Sequence, residues 1–143
     1  MRMGGRPAGR SAIYAEALDR LVASAAQDGR IKGLWLEAPG REDLRRPLRS
    51  LEVHLAVDEP DFNAVLSALD CMMAGPAELC VEGRAEVPRF AQEVRGTIDG
   101  APFKAIIEKT PFIGKRPRAA VSMLLDRTGH ICHTMDLPLP LPQ

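Results

Sequence analysis

The sequence predicts one α/β (α+β) domain, built on a mixed β-sheet of about five strands with helices packed mainly on one face. Two segments repeat apolar residues at the three- and four-residue spacing of amphipathic helices, and a third alternates apolar and polar residues like a half-buried strand. Elements of these kinds bury their apolar sides by packing in layers. The 143 residues suffice for one such domain.

The predicted domain covers residues 11–129. Residues 1–10 are rich in Gly, Arg and Pro without apolar periodicity, which predicts a flexible tail. Residues 130–143 finish in alternating Leu and Pro, which predicts an extended Pro-rich tail.

The first predicted helix begins at Ser11, a residue type that caps helix N-termini, and ends near Asp28-Gly29. A short apolar run at Ile31–Glu37 then predicts a buried strand. Residues 41–49 are rich in arginine and contain a proline, so they predict a short helix or a loop.

Leu51–Val57 is the clearest predicted strand. Its odd-numbered positions are all apolar, while the other face carries Glu52 and His54. A second amphipathic helix follows and ends at Gly75-Pro76.

The second half of the chain predicts further strands. Residues 77–81 form a short one before a turn-rich stretch, and residues 119–125 form the last. Between them, Ala91–Ile98 and Ala101–Lys109 flank Asp99-Gly100, and such a dipeptide between two strand-like runs is typical of a β-hairpin.

Composition narrows the classes of partner. Lys and Arg together number 19, as do Asp and Glu, so there is no basic excess and nucleic acid is not an expected partner. No apolar run approaches the roughly 20 residues that span a bilayer, so no membrane partner is expected. The three cysteines lack C-x-x-C spacing and no signal peptide is visible, which predicts a cytoplasmic protein with reduced thiols.

Three segments, at residues 33–37, 50–57 and 103–108, resemble the core of the nucleotidyltransferase superfamily in order, spacing and apolar pattern. That superfamily includes aminoglycoside nucleotidyltransferases and polymerase-β-like enzymes. Its first strand ends in a Gly-Ser pair that opens a helix, its second carries Asp-x-Asp, and a later strand carries a third Asp. The resemblance extends over residues 11–125 and implies a nucleotidyltransferase-like fold.

The residues that carry the family's chemistry differ here. Ala38-Pro39 replaces the Gly-Ser pair, and Ser50, Glu52 and Lys104 stand where the three aspartates are expected. Transfer with two Mg²⁺ ions needs several carboxylate ligands, and these positions offer one. We therefore predict a catalytically inactive member, with no catalytic residue, no metal site and no cofactor. Mg²⁺ enters only if a divergent enzyme uses Glu52.

Lys104 and Glu52 share strand parity. We therefore expect the Lys104 ammonium to fill the vacated metal space and to pair with Glu52. The alternative is that both are ordinary solvated surface residues.

The remaining ligand-binding candidates flank this pair. Glu37 and Glu108 are the carboxylates that would assist Glu52 in a divergent enzyme. His54 lies on the face of Glu52 and is either a general base or a packed strand histidine. Arg41 belongs to an arginine-rich stretch that either attracts anions or forms a solvated face.

Two further segments carry weaker signals. Residues 130–133 read His-Ile-Cys-His, but no second cluster stands at zinc-site spacing, so we do not assign a metal there. Lys115, Arg116 and Arg118 form a basic loop that either contacts an anion or is solvated.

The leading function is binding, either of a protein partner or of a small anionic ligand. The first alternative is a divergent active nucleotidyltransferase that uses Glu52. The second is an assembly module that forms a homodimer.

Overall fold

The computed structural model describes residues 9–37, 51–75, 77–116 and 121–135. In these ranges the chain forms an α+β fold with a mixed six-stranded sheet and three α-helices, so the general fold class is as predicted, with six strands rather than about five. Within the same ranges, no helix is long and apolar enough to cross a membrane. The predictions for Ala38-Pro39, Arg41 and Ser50, and for most of both tails, lie outside the described residues.

The strands are β1 (Ile31–Glu37), β2 (Leu51–Val57), β3 (Leu79–Val87), β4 (Ala91–Ile98), β5 (Ala101–Lys109) and β6 (Val121–Asp126). Their order in the sheet is β3-β4-β5-β2-β1-β6. β2 runs parallel to β5, and the other neighbouring pairs are antiparallel. The strand bounds predicted for β1, β2, β4 and β5 are confirmed.

Two long helices, α1 (Arg10–Gln27) and α2 (Phe62–Ala74), cover one face of the sheet. Leu21 of α1 and Leu69 of α2 pack in one core with the apolar face of β2, including Leu55. Burying a leucine side chain fully stabilises the fold by about 1.5–3 kcal/mol, so this core is the main source of stability.

The start of α1 differs from the prediction. The helix begins at Arg10 with Gly9 as its N-cap, and no side chain caps it, so Ser11 lies inside the first turn. Glycine is tolerated at this position because the cap needs only an extended backbone, here with φ −66° and ψ 160°.

β3 is longer than predicted. It continues to Val87 rather than ending at residue 81, because Gly83 is accommodated at a register shift next to Val81 instead of breaking the strand. The turn that follows uses Arg89 and Phe90, with φ of 70° and 62°, neither of which is a usual turn signal. By contrast, the predicted turn between β4 and β5 is confirmed, with positive φ at its central dipeptide.

The opposite face of the sheet carries a short helix, α3 (Ile131–Met135), where the sequence predicted the start of an extended tail. Ile131 and Met135 lie one turn apart and are both buried, against Trp35 and Ala56. A Cβ atom on Gly33 would lie 2.6 Å from the Ile131 Cδ1 atom, so glycine there allows the close approach of α3. The prediction failed because two apolar residues are too few to establish helical periodicity.

Candidate functional site

The face of the sheet beside α3 also carries charged residues near its centre. Successive strand residues point to opposite faces, so the side chains that alternate with the core positions of β1, β2 and β5 lie together on this one. Pairing places Trp35 opposite His54, and Glu52 opposite Lys104. The charged and polar positions are Glu37 in β1, Glu52 and His54 in β2, and Lys104 and Glu108 in β5.

His54 is the centre of this group and is 3% exposed. Its Nδ1 atom lies 2.6 Å from Oε2 of Glu108. Its Nε2 atom lies 2.9 Å from Oε2 of Glu52 and 3.2 Å from Oε2 of Glu37. Both ring nitrogens therefore face carboxylate oxygens, and three carboxylates surround one imidazole.

Arg116 holds two of these carboxylates from the loop that follows β5. Its Nε atom forms an ion pair with Oε1 of Glu37, and its Nη2 atom lies 3.3 and 3.4 Å from the two oxygens of Glu108. The Arg116 side chain is 15% exposed, so this pairing takes place largely away from water. The guanidinium thus fixes the carboxylates on both sides of His54.

Lys104 holds the third carboxylate. Its Nζ atom lies 3.3 Å from Oε1 of Glu52 and 3.7 Å from Oε1 of Glu93. The predicted contact between Lys104 and Glu52 is confirmed, and the two side chains are about one-third exposed rather than fully solvated. Glu52 thus divides its oxygens, with Oε1 on Lys104 and Oε2 on His54.

Trp35 forms one wall of the site. Its ring stacks on the His54 imidazole with centroids 5.5 Å apart and planes 19° from parallel, and the Arg116 guanidinium lies 5.2 Å from the Trp35 ring. Because Trp35 is fully buried, its packing restricts the rotation of the imidazole.

The surrounding charge sets the protonation of His54. Burial by itself lowers the pKa of the imidazole, but its contacts with Glu108, Glu37 and Glu52 outweigh burial and raise the pKa to about 10. His54 is therefore an imidazolium at neutral pH, donating Nδ1–H to Glu108 and Nε2–H to the other two carboxylates.

The pKa values of two carboxylates shift in the complementary direction. For Glu37, burial opposes ionisation, yet the His54 hydrogen bond and the positive charges of His54 and Arg116 lower its pKa overall. For Glu52, the hydrogen bond from His54 is the largest cause of a lowered pKa, with Lys104 adding to it against burial. Both groups remain ionised at neutral pH.

We refer to His54, Glu37, Glu52, Glu108, Lys104 and Arg116 as the His54 cluster. The cluster joins all the predicted site residues that the structure describes. Arg116 was predicted only as part of a basic loop that either contacts an anion or is solvated, and its guanidinium here contacts the carboxylates of Glu37 and Glu108. The sequence also gave no reason to associate Trp35 with the site.

The chemistry open to the cluster is that of holding a proton or a cation. Among the described residues, Glu37, Glu52 and His54 form a set in which one ligand atom from each lies within 4.8 Å of the others. Among the described residues, His130 and His133 are not part of this set.

A cavity of about 450 Å³ lies next to the cluster, where β2 and β5 begin. Arg10, Arg95 and Lys104 line it together with the carboxylates of Glu52 and Glu82. Positive side chains therefore outnumber negative ones among the described lining residues, and Lys104 belongs to both the cavity and the cluster.

No protein-family model matches the chain, and no curated protein is significantly similar to it.

Proposed function

We propose that this chain is a cytoplasmic, nucleotidyltransferase-like domain that does not transfer nucleotides and instead binds a small anionic ligand in the cavity beside Lys104. The observation that carries the proposal is the ion pair between Lys104 and Glu52, at 3.3 Å. It puts an ammonium group where the family resemblance calls for a metal-binding carboxylate.

The arrangement of strands supports the resemblance. β5, the counterpart of the strand with the third aspartate, pairs in parallel with β2, and Lys104 lies in register with Glu52. The second and third carboxylate positions of the family pattern are thus neighbours, as a shared metal site requires. With Lys104 at one of them, a Mg²⁺ ion meets repulsion instead of a ligand.

The cavity supports an anion as the ligand. A phosphate-bearing or carboxylate-bearing molecule placed there lies beside Arg10, Arg95 and Lys104. We favour a small ligand over a protein partner because the cavity volume of about 450 Å³ matches that of small-molecule binding sites.

Thermal unfolding with and without nucleoside triphosphates, inorganic pyrophosphate and Mg²⁺ tests the proposal. A ligand at 100 times its dissociation constant adds about 2.7 kcal/mol, which raises the midpoint by several degrees in a domain of this size. We expect at least one anion to raise the midpoint without Mg²⁺, and Arg95→Gln to weaken that effect.

Arg84→Gln is the matched control, because Arg84 is an exposed arginine outside the cavity lining. An equal loss of binding in both variants would assign the effect to total charge. The absence of a shift with any of these anions would overturn the proposed ligand class.

A divergent nucleotidyltransferase is the second candidate, favoured by the convergence of Glu37, Glu52 and Glu108 around His54. It predicts Mg²⁺-dependent transfer of a labelled nucleotide, abolished by Glu52→Gln. Such transfer would replace the binding proposal with an enzymatic one.

Assembly into a homodimer is less well supported by the sheet. β3 forms one edge, and its Glu82, Arg84 and Glu86 are charges of the kind that protect an edge from pairing with another strand. Sedimentation at several protein concentrations tests this directly, and a concentration-dependent dimer would restore the alternative.

A further inference from the structure

We propose that Glu37, Glu52 and Nε2 of His54 form a binding site for a divalent transition-metal ion, with Zn²⁺ as its model occupant. This inference goes beyond the proposed anion binding and does not depend on it. It rests on the arrangement of three donor atoms and on the groups that fix each of them.

The donor atoms have separations close to those of a metal site. A tetrahedral zinc ion with bonds of about 2.0–2.1 Å holds its ligand atoms about 3.3 Å apart. The Nε2 atom of His54 lies 2.9 Å from Oε2 of Glu52 and 3.2 Å from Oε2 of Glu37. An outward movement of the two carboxylates by a few tenths of an ångström therefore makes room for the ion.

The second nitrogen of His54 is held as in many metal-bound histidines. A ligating histidine usually donates its other ring N–H to a carboxylate, which orients the ring and leaves the remaining nitrogen for the metal. Glu108 provides this contact at 2.6 Å from Nδ1, and Arg116 holds Glu108 in turn. Stacking on Trp35 fixes the plane of the imidazole.

The remaining carboxylate oxygens are occupied by cations. Oε1 of Glu37 pairs with Arg116, and Oε1 of Glu52 pairs with Lys104, while both Oε2 atoms turn to Nε2 of His54. Each carboxylate thus offers one oxygen to a metal and keeps the other anchored. Three protein ligands leave a fourth tetrahedral position for water or a ligand, as in open zinc sites.

The donor set selects the class of metal. An imidazole nitrogen suits Zn²⁺ and its first-row neighbours, whereas Mg²⁺ prefers oxygen ligands in octahedral geometry. For the metal to bind, the proton on Nε2 leaves to solvent and the ion takes its place between the same three atoms, a net gain of one positive charge.

The test is zinc titration of chelator-treated protein without nucleotide, followed by calorimetry and thermal unfolding. We expect one zinc ion per chain, a midpoint raised by several degrees, and no effect of Mg²⁺ at the same concentration. Co²⁺ in place of Zn²⁺ is expected to give the visible absorption of a four-coordinate site. An ion that stabilises the fold without such coordination does not give this absorption.

Variants assign the zinc to these residues. Glu37→Gln and Glu52→Gln keep the side-chain shape at partly exposed positions, and each is expected to weaken zinc binding at least tenfold. Glu108→Gln, which loses the charge facing Nδ1, is expected to weaken it 10- to 100-fold. Glu93→Gln is the matched control, because Glu93 contacts Lys104 but none of the donors, and it is expected to bind zinc like the unaltered chain.

Two results would overturn the site. One is the absence of stoichiometric zinc binding. The other is binding that survives in both Glu37→Gln and Glu52→Gln but is lost when His130 and His133 are replaced by alanine. Because no nucleotide is present, failure here leaves the anion proposal standing, and failure of the anion scans leaves this one.

Discussion

The two faces of the central sheet are stabilised in different ways. On the helix-covered face, Leu21, Leu55 and Leu69 are buried among other apolar side chains, and their packing does not depend on charge. On the opposite face, His54 is equally buried, but its stability depends on three carboxylates. Residues that are equally buried can therefore differ in how strongly their contribution to stability depends on pH.

The two faces differ in the free-energy cost of altering a buried group. Removing a methyl group from an apolar core costs the burial of that group and leaves a cavity, at any pH. Removing a proton or one partner from a buried ionic cluster leaves a charge without compensation, and this cost changes with pH. The pH dependence of stability therefore distinguishes the ionic face from the apolar one.

The largest expected effect is the pH dependence of metal-free protein. The pKa of His54 is raised to about 10 in the folded state from 6.5, so its stabilising contribution is complete below about pH 6.5 and is lost as the pH rises through 10. We expect the free energy of unfolding to fall by on the order of 4 kcal/mol over this interval, at most about 1.4 kcal/mol per pH unit.

Urea unfolding at pH 6, 8 and 9.5 with a chelator measures this slope. The double variant His130→Ala/His133→Ala should retain it, since those imidazoles lie outside the His54 cluster. A flat profile in the unaltered chain would mean that His54 is neutral in the folded state.

On the helix-covered face, Leu55→Ala is expected to lower the free energy of unfolding by about 3 kcal/mol, because it leaves a cavity at a fully buried position. Leu124, 37% exposed, supplies the matched control, and Leu124→Ala is expected to cost about 0.5 kcal/mol or less. Denaturant unfolding measures both. The loss in Leu55→Ala should be independent of pH, and a strong pH dependence would show that the two faces are coupled.

Glu108→Gln removes a single negative charge from the ionic face of the sheet. It is expected to cost about 2 kcal/mol at pH 7, because His54 and Arg116 both lose a buried hydrogen-bonded carboxylate. Glu59→Gln removes the same charge from an exposed pair with Lys109, and a cost within about 0.5 kcal/mol is expected. Equal costs in the two variants would refute the special status of the buried pair.

The smallest expected effect is that of Lys104→Met, which keeps the aliphatic length and removes the ammonium. Lys104 is one-third exposed, so water and salt screen its pairs with Glu52 and Glu93. We expect a loss of about 0.5 kcal/mol that disappears in high salt. A loss above about 2 kcal/mol would mean that Lys104 contributes as much to stability as the buried charged residues of the His54 cluster.

The sequence predicted best those elements whose own residues carry a complete secondary-structure pattern. β2 alternates without interruption, and Asp99-Gly100 is a strong hairpin signal, so both were located to the residue. β3 was cut short because the pairing partner β4, rather than local sequence, carries the strand past Gly83. Tertiary contacts likewise determine the formation of α3. Its two buried residues, Ile131 and Met135, form no helical pattern by themselves and are buried by packing against the sheet.

The site was predicted in part. Strand parity was enough to bring Lys104 to Glu52, since both lie on strands whose faces the sequence reveals. The placement of Glu37 and Glu108 on either side of His54 depends on strand order, which a single sequence does not state. Arg116 comes from a loop, where no periodicity links a side chain to a face.

The stacking of Trp35 on His54 has a practical consequence. Trp35 is the one tryptophan of the chain, so all of the protein's indole fluorescence originates beside the imidazole. A protonated imidazole in contact with an indole quenches its emission more strongly than a neutral one does. The protein therefore carries its own optical probe, and deprotonation of His54 or arrival of a metal ion is readable in unlabelled chain at micromolar concentration.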